Sequence, residues 1–267
     1  MELLPPPRPR PTMTHSSITV SDPLGYRPLH LDLHIPAGDG PFPVVFWVHG
    51  GGWQSGSRVW LPDTIYPFDF HERFIARGYA VADVDYRLAR EAQYPAQLTD
   101  VHAAIRWVRH YASEYHLDPA RFATLGESAG GHLAAMAGLV GEGDTAVQAV
   151  IDWYGASDFT NLRSLDDPNT SPAILLGGSI NSRFDFAGWA SPVHRVHPGA
   201  PPFLLVHGTA DTVVPLSQSE ELASALRGVG VRCDLIEADG ADHCFEGYDD
   251  IGGLIDAGID FLDDVLK

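Results

Sequence analysis

One short stretch restricts what this chain can fold into more than any other: Leu125-Gly126-Glu127-Ser128-Ala129-Gly130-Gly131-His132. It follows the apolar residues Phe122, Ala123 and Leu125 and opens an Ala-rich segment, His132 to Leu139, that reads as a helix. A strand that passes through G-x-S-x-G straight into a helix turns so tightly that the residues flanking the serine must lack side chains. Gly126 and Gly130 meet that demand. The turn holds the Ser128 hydroxyl at a helix N-terminus, where free N–H groups and the helix dipole favour developing negative charge. The pentapeptide alone is a weak signal, because a serine-capped helix start has the same letters.

The surrounding pattern is that of alternating strands and helices. Ile18 to Val20 reads as a short strand, and Leu29, Leu31, Leu33 and Ile35 alternate with His30, Asp32 and His34 in the period of a half-buried one. Those three polar side chains share one face, a geometry open to metal binding, and they read as the solvated face of an edge hairpin. Val44 to Val48 is an uninterrupted apolar run, the mark of a strand buried on both sides. It ends in His49-Gly50-Gly51-Gly52-Trp53, whose glycines let backbone N–H groups approach a ligand closely. Residues 54–72 exceed a plain strand-to-helix loop and carry Trp60, Tyr66, Phe68 and Phe70, so they read as a flap over a site.

Tyr79 to Val84 is the next buried strand, and Leu98, Val101, Ala104, Ile105, Val108 and Ala112 recur at helical spacing, with His102 and His110 on the helix surface. Val147 to Trp153, Leu204 to His207 and Val231 to Glu237 complete the strands. Ser217 to Leu226 and Leu254 to Leu266 read as helices, with shorter ones around Ala173 to Leu176 and Phe184 to Trp189. Such alternation predicts an α/β fold, a mostly parallel sheet covered on both faces. No repeat or second domain is visible: residues 1–14 form a proline-rich arm expected to be disordered, and 15–267 one domain.

Charge narrows the partners. Seventeen basic against 35 acidic residues give a formal charge of −18, which disfavours nucleic acid and anionic membranes. No apolar run reaches membrane-spanning length, and the N-terminus lacks the apolar core of a signal peptide, so the expected compartment is the cytoplasm. Cys233 and Cys244 imply no disulfide framework and read as free thiols, although their spacing permits a bridge.

A serine hydroxyl becomes a useful nucleophile only beside a base, and an imidazole can take its proton and later return it to a leaving group. A carboxylate on the second ring nitrogen fixes the tautomer and stabilises the cation. Asp211 and His243 each follow a strand's C-terminal end, where open α/β sheets place their sites, and the order Ser128, Asp211, His243 is that of α/β-hydrolases. Asp158 is the rival acid, while Asp239 and Asp242 read as turn carboxylates. Trp53, Tyr154, Phe159 and Trp189 follow strands or lie in irregular segments, which makes them candidate substrate-pocket walls.

His49-Gly50-Gly51-Gly52-Trp53, Gly126-Glu127-Ser128-Ala129-Gly130-Gly131, His207-Gly208-x-x-Asp211-x-x-Val214-Pro215 and Asp242-His243 together resemble bacterial esterases of the hormone-sensitive-lipase type. Asp85-Tyr86-Arg87-Leu88 and Tyr94-Pro95-Ala96-Gln97 with Asp100 resemble more closely a branch that includes acetyl-xylan and feruloyl esterases. The resemblance implies Ser128 as nucleophile, His243 as base, Asp211 as its orienter and the Gly51, Gly52 and Ala129 amides as oxyanion hole. It implies hydrolysis of short-chain carboxylic esters, with a small-molecule ester as partner and neither metal nor cofactor needed; a homo-oligomer is compatible with it. Larger relatives carry an N-terminal helical cap for which the short arm leaves little room, so residues 54–72 and 158–190 are the candidate roof. Two other functions keep the fold: an amide-cleaving hydrolase (formamidase or peptidase) with the same triad, and a non-catalytic binding module, which would predict a broken triad.

Overall fold

The computed structural model describes residues 13–267. Residues 1–12 of the proline-rich arm lie outside them, whereas positions 13 and 14 already belong to the first strand. The strands are β1 (Met13–Ser21), β2 (Leu29–Ile35), β3 (Phe42–Val48), β4 (Ala80–Val84), β5 (Leu117–Glu127), β6 (Ala149–Trp153), β7 (Phe203–Gly208) and β8 (Cys233–Ala238). They form one sheet in the order β1-β2-β4-β3-β5-β6-β7-β8. β2 pairs antiparallel with both β1 and β4, and every other pairing is parallel. The helices are α1 (Phe70–Ala76), α2 (Ala96–His110), α3 (Ala129–Val140), α4 (Ser171–Leu176), α5 (Phe184–Trp189), α6 (Ser217–Gly228) and α7 (Ile251–Leu266).

Period-two alternation in β3 feeds two separate cores. Val44, Phe46 and Val48 pack with Leu98 and Val101 of α2, Leu133 and Met136 of α3, and Leu222 of α6. Val45 and Trp47 face the other side, with Phe70 and Phe74 of α1 and Leu254, Ile255 and Ile259 of α7. Because both faces are covered, the central strands read as continuous apolar runs rather than alternating ones. This is the α/β-hydrolase arrangement, with the loops at the parallel strands' C-terminal ends gathered on one rim.

Three local expectations change. Phe70, placed in the flap by the sequence, begins α1 and is buried beneath Trp47, with ring centroids 4.8 Å apart. The polar face of β2 is only partly solvated: His30 and His34 keep some exposure, but Asp32 is buried, accepting hydrogen bonds from the Ser17 amide at 2.6 Å and Arg58 Nε at 3.0 Å. Those partners come from β1 and the 54–72 loop, so period-two patterning could not reveal them. His110 is exposed as expected, but His102 is half-buried, and burial lowers its pKa. Cys233 and Cys244 are free thiols. Among the described residues no helix is long and apolar enough to cross a membrane.

Trp153 tests how much of the core depends on the second face. It is fully buried and packs edge-on against Trp47, Phe70 and Phe245, with centroids 5.6–6.0 Å away. Trp153→Ala should destabilise the fold by about 3–5 kcal/mol, read as a shift of the urea midpoint at unchanged slope. A loss below about 1 kcal/mol, the range of a tolerated volume-conserving swap, would contradict this packing.

Candidate active site

Ser128 sits between β5 and α3 with φ 53° and ψ −116°, a strained conformation for a residue with a side chain. Its amide donates to Trp153 O at 2.8 Å, and its carbonyl accepts from the His132 amide at 3.1 Å. A Cβ on Gly126 would overlap the Gly130 carbonyl, and one on Gly130 would overlap the carbonyl oxygens of Val48 and His49. The two glycines are therefore required by backbone contact across the turn and against β3, as the motif demanded.

The Ser128 hydroxyl lies 2.9 Å from His243 Nε2, and His243 Nδ1 lies 2.7 Å from Asp211 Oδ2. Asp211 is a fully buried carboxylate on the loop after β7, and His243 follows β8. Burial alone would raise the Asp211 pKa, but bonds from His207, His243 and the Val214 amide outweigh it and hold the carboxyl well below its usual range. Its other oxygen accepts from the Val213 and Val214 amides, both at 2.8 Å. Asp242 is a turn carboxylate, as read from sequence, and it couples the two loops. It accepts from the Thr212 amide at 2.8 Å, the Thr212 hydroxyl at 3.0 Å and the His243 amide at 2.7 Å. Asp158 has a different task, accepting from the Thr160 amide and hydroxyl at 2.8 and 2.6 Å.

Gly51 and Gly52 take φ values of 97° and 59°, conformations that suit glycine. Among the described residues no acceptor pairs with the amides of Gly51, Gly52 or Ala129, which leaves those donors available beside Ser128. Three side chains brace this loop. Glu127 accepts from the Gly50 amide at 2.5 Å, the Tyr86 hydroxyl donates to His49 O at 2.9 Å, and the His49 ring bonds Gly50 O at 2.8 Å. His49 stacks on Tyr86 at 4.2 Å, and burial lowers its pKa to about 4, so the ring is neutral. Glu127 and Tyr86 were in the motifs read from sequence, but their bracing task was not. It depends on contacts between residues 77 and 37 positions apart.

A cavity of about 610 Å³ opens over Ser128 and His243. Gly51, Gly52, Trp53 and Ala129 line it, Trp60 enters from the 54–72 segment, and Leu162, Arg163, Pro172 and Ile180 enter from 158–190. Three of the four aromatic residues proposed as its walls are elsewhere. Tyr154 is buried edge-on beneath the His243 ring at 4.9 Å, where it supports the imidazole. Phe159 is buried between Trp53 and His132, with centroids 5.5 and 4.8 Å away. Trp189 is 42% exposed and stacks on Phe186 away from the cavity. Val213, Val214 and Pro215 line it from the loop that carries Asp211, a contribution the sequence reading missed.

Comparison with known proteins gives the chain's family. Residues 31–226 match the BD-FAE family model, which covers both the glycine loop and the serine turn. The chain belongs to the BD-FAE family. It is 33% identical over 221 residues to Esterase LipC of Mycobacterium tuberculosis, covering 77% of this chain and 54% of that protein. A similar match, 33% over 219 residues, covers 76% of this chain and 50% of Esterase LipQ from the same organism. The chain thus spans about half the length of these curated relatives. Among solved structures, a truncated carbohydrate esterase from gut microbiota superposes with a TM-score of 0.82 at 27% identity, covering 95% of this chain and 96% of that one. Butyrate-bound esterase 2 of Thermogutta terrifontis gives 0.75 at 28% identity, with 94% of each chain covered.

Glu127 generates a prediction with a defined sign. Burial pushes its carboxyl up to about 7, and the Gly50 hydrogen bond only partly opposes that. Between the unfolded value near 4.5 and about 7, the folded protein holds a proton that the unfolded chain has released, so this group costs stability as pH rises through that window. Glu127→Gln keeps the acceptor without the charge. Its stability relative to wild type should rise between pH 5 and 8 by up to about 3 kcal/mol, measured by urea unfolding. Glu127→Ala removes the brace and should lower kcat by about 10- to 100-fold, less than loss of a whole oxyanion donor. A pH-independent stability difference for Glu127→Gln would contradict the assignment.

Proposed function

We propose that the chain is a serine carboxylesterase acting on short-chain carboxylic esters, acetyl or similar acyl groups on small alcohols or sugars. The observation that carries this reading is the hydrogen-bonded series Asp211, His243, Ser128 facing a cavity beside three backbone amides that are unpaired among the described residues. Its volume lies within the range of small-molecule sites. The butyrate-bound esterase among the solved relatives supports the short-acyl choice, and the carbohydrate esterase supports a sugar as the alcohol.

In this mechanism Ser128 Oγ attacks the ester carbonyl while its proton passes to His243 Nε2. The Gly51, Gly52 and Ala129 amides stabilise the resulting oxyanion, and the buried Asp211 carboxylate stabilises the imidazolium. Collapse breaks the bond to the alcohol, which leaves with the proton from His243, and an acyl-serine remains. Water then attacks that carbonyl, gives its proton to His243, and the acid departs as the proton returns to Ser128. Every proton, from Ser128 or water and to the alcohol or Ser128, passes through His243 Nε2.

Hydrolysis of p-nitrophenyl acetate, butyrate, octanoate and palmitate by wild type and Ser128→Ala tests the reading. Acetate and butyrate should be turned over fastest, and the substitution should lower kcat by about 10⁴- to 10⁶-fold. Equal rates in the two proteins would remove the serine mechanism. A preference for palmitate would remove the short-chain assignment.

A further inference from the structure

Away from the cavity, three metal-ligating side chains converge where the edge of the sheet meets α1. His34 lies on β2, Asp83 on β4 and His71 on α1. His34 Nε2 is 2.9 Å from Asp83 Oδ2, and His71 Nε2 is 3.0 and 2.9 Å from its two oxygens. The donor atoms of all three lie within 4.8 Å of one another. None of them lines the cavity over Ser128.

Asp83 is the unusual member. It is 3% exposed in a strand whose five residues are all buried, and burying a carboxylate is costly unless it is paired. Arg58 neutralises the neighbouring Asp32 and Asp85, yet among the described residues the only ion-pair partners of Asp83 are the two histidines. Both imidazoles present Nε2 to the same carboxylate, and both keep about a fifth of their side chain in contact with solvent, so the cluster is open to an entering ion. On the far side of His34, Nδ1 lies 3.2 Å from the Thr14 hydroxyl. A partner on the second nitrogen orients the ring and frees Nε2 as donor, as is usual for histidines that ligate metals.

We propose that His34, His71 and Asp83 form a binding site for one divalent transition cation of the zinc class. Two imidazole nitrogens and a carboxylate oxygen suit zinc, with water as fourth ligand. Bond lengths near 2.0–2.1 Å put neighbouring ligands of a tetrahedral ion about 3.3 Å apart. The two imidazole–carboxylate separations of 2.9 Å therefore need to open by only a few tenths of an ångström, while the two imidazole nitrogens, within 4.8 Å of one another, settle to the same spacing. Because the ligands come from β2, β4 and α1, the cation would clamp the antiparallel β2–β4 pair of the sheet to the helix beside it. Its role is structural and does not depend on the esterase reading.

The test uses the full chain after dialysis against EDTA. Calorimetric titration with zinc chloride should find one tight site per chain, and cobalt(II) should give the visible ligand-field bands of a tetrahedral ion. Melting temperature should rise with zinc as expected for a ligand of the folded state. His34→Gln and His71→Gln change side chains that are about one-fifth exposed, and far-UV circular dichroism checks that both fold. Each should weaken zinc affinity by at least about tenfold, the lower bound for disturbing a metal's ligand environment, and abolish the cobalt bands. Absence of a stoichiometric site in wild type overturns the proposal. So does equal binding by wild type and both variants, which would move the ion to carboxylates elsewhere on this acidic surface.

Discussion

The rest of the structure depends on one close approach of backbone to backbone. The turn after β5 is pressed against the end of β3 so closely that Gly130 faces the carbonyls of Val48 and His49 with no room for a side chain. That contact fixes Ser128 in its positive-φ conformation and brings the glycine loop after β3 alongside the serine. Parallel pairing of β3 with β5, in which Val48 lies opposite Gly126, sets the distance. The hydroxyl and the amide donors are thus positioned by main-chain packing in a close-packed interior.

Around this contact, polar side chains brace the loops that carry the site. Glu127 and Tyr86 hold the glycine loop from β5 and from the segment after β4, and Asp242 ties the acid-bearing loop to the histidine-bearing one. Each brace accepts or donates to backbone, so it fixes the loop's path whatever the loop's side chains are. Arg87 extends the bracing outward through a bidentate pair with Asp100, 2.8 Å at each end. Such pairs add geometric specificity because the guanidinium fork matches the carboxylate. The Asp85-Tyr86-Arg87 run, which the sequence offered only as a mark of resemblance, is in physical terms a set of struts.

The boundaries of secondary structure were largely legible because most elements obey a simple period. β2 occupies Leu29–Ile35 as its alternation required, and α2 covers the segment where apolar residues recur at helical spacing. α1 was missed: it is seven residues long and its buried side chains, Phe70 and Phe74, are too few to define a period. Aromatic residues misled for a related reason. Tyr154, Phe159 and Trp189 look alike in sequence whether they face a cavity, a catalytic ring or another aromatic, since apolar surface can be covered by any of these.

By itself, the sequence determined the strand-turn-helix around Ser128, the glycine loop, and the identity and order of Asp211 and His243, because these rest on backbone conformations and residue chemistry that act locally. Only the tertiary structure decided which residues face one another. It showed that Glu127 holds Gly50, that Tyr154 supports His243, that the cavity is walled by Val213 and Ile180, and that Asp83 meets His34 and His71. Those pairings join positions dozens of residues apart, and the chain's local periodicity carries no record of how strand order and loop paths will bring them together.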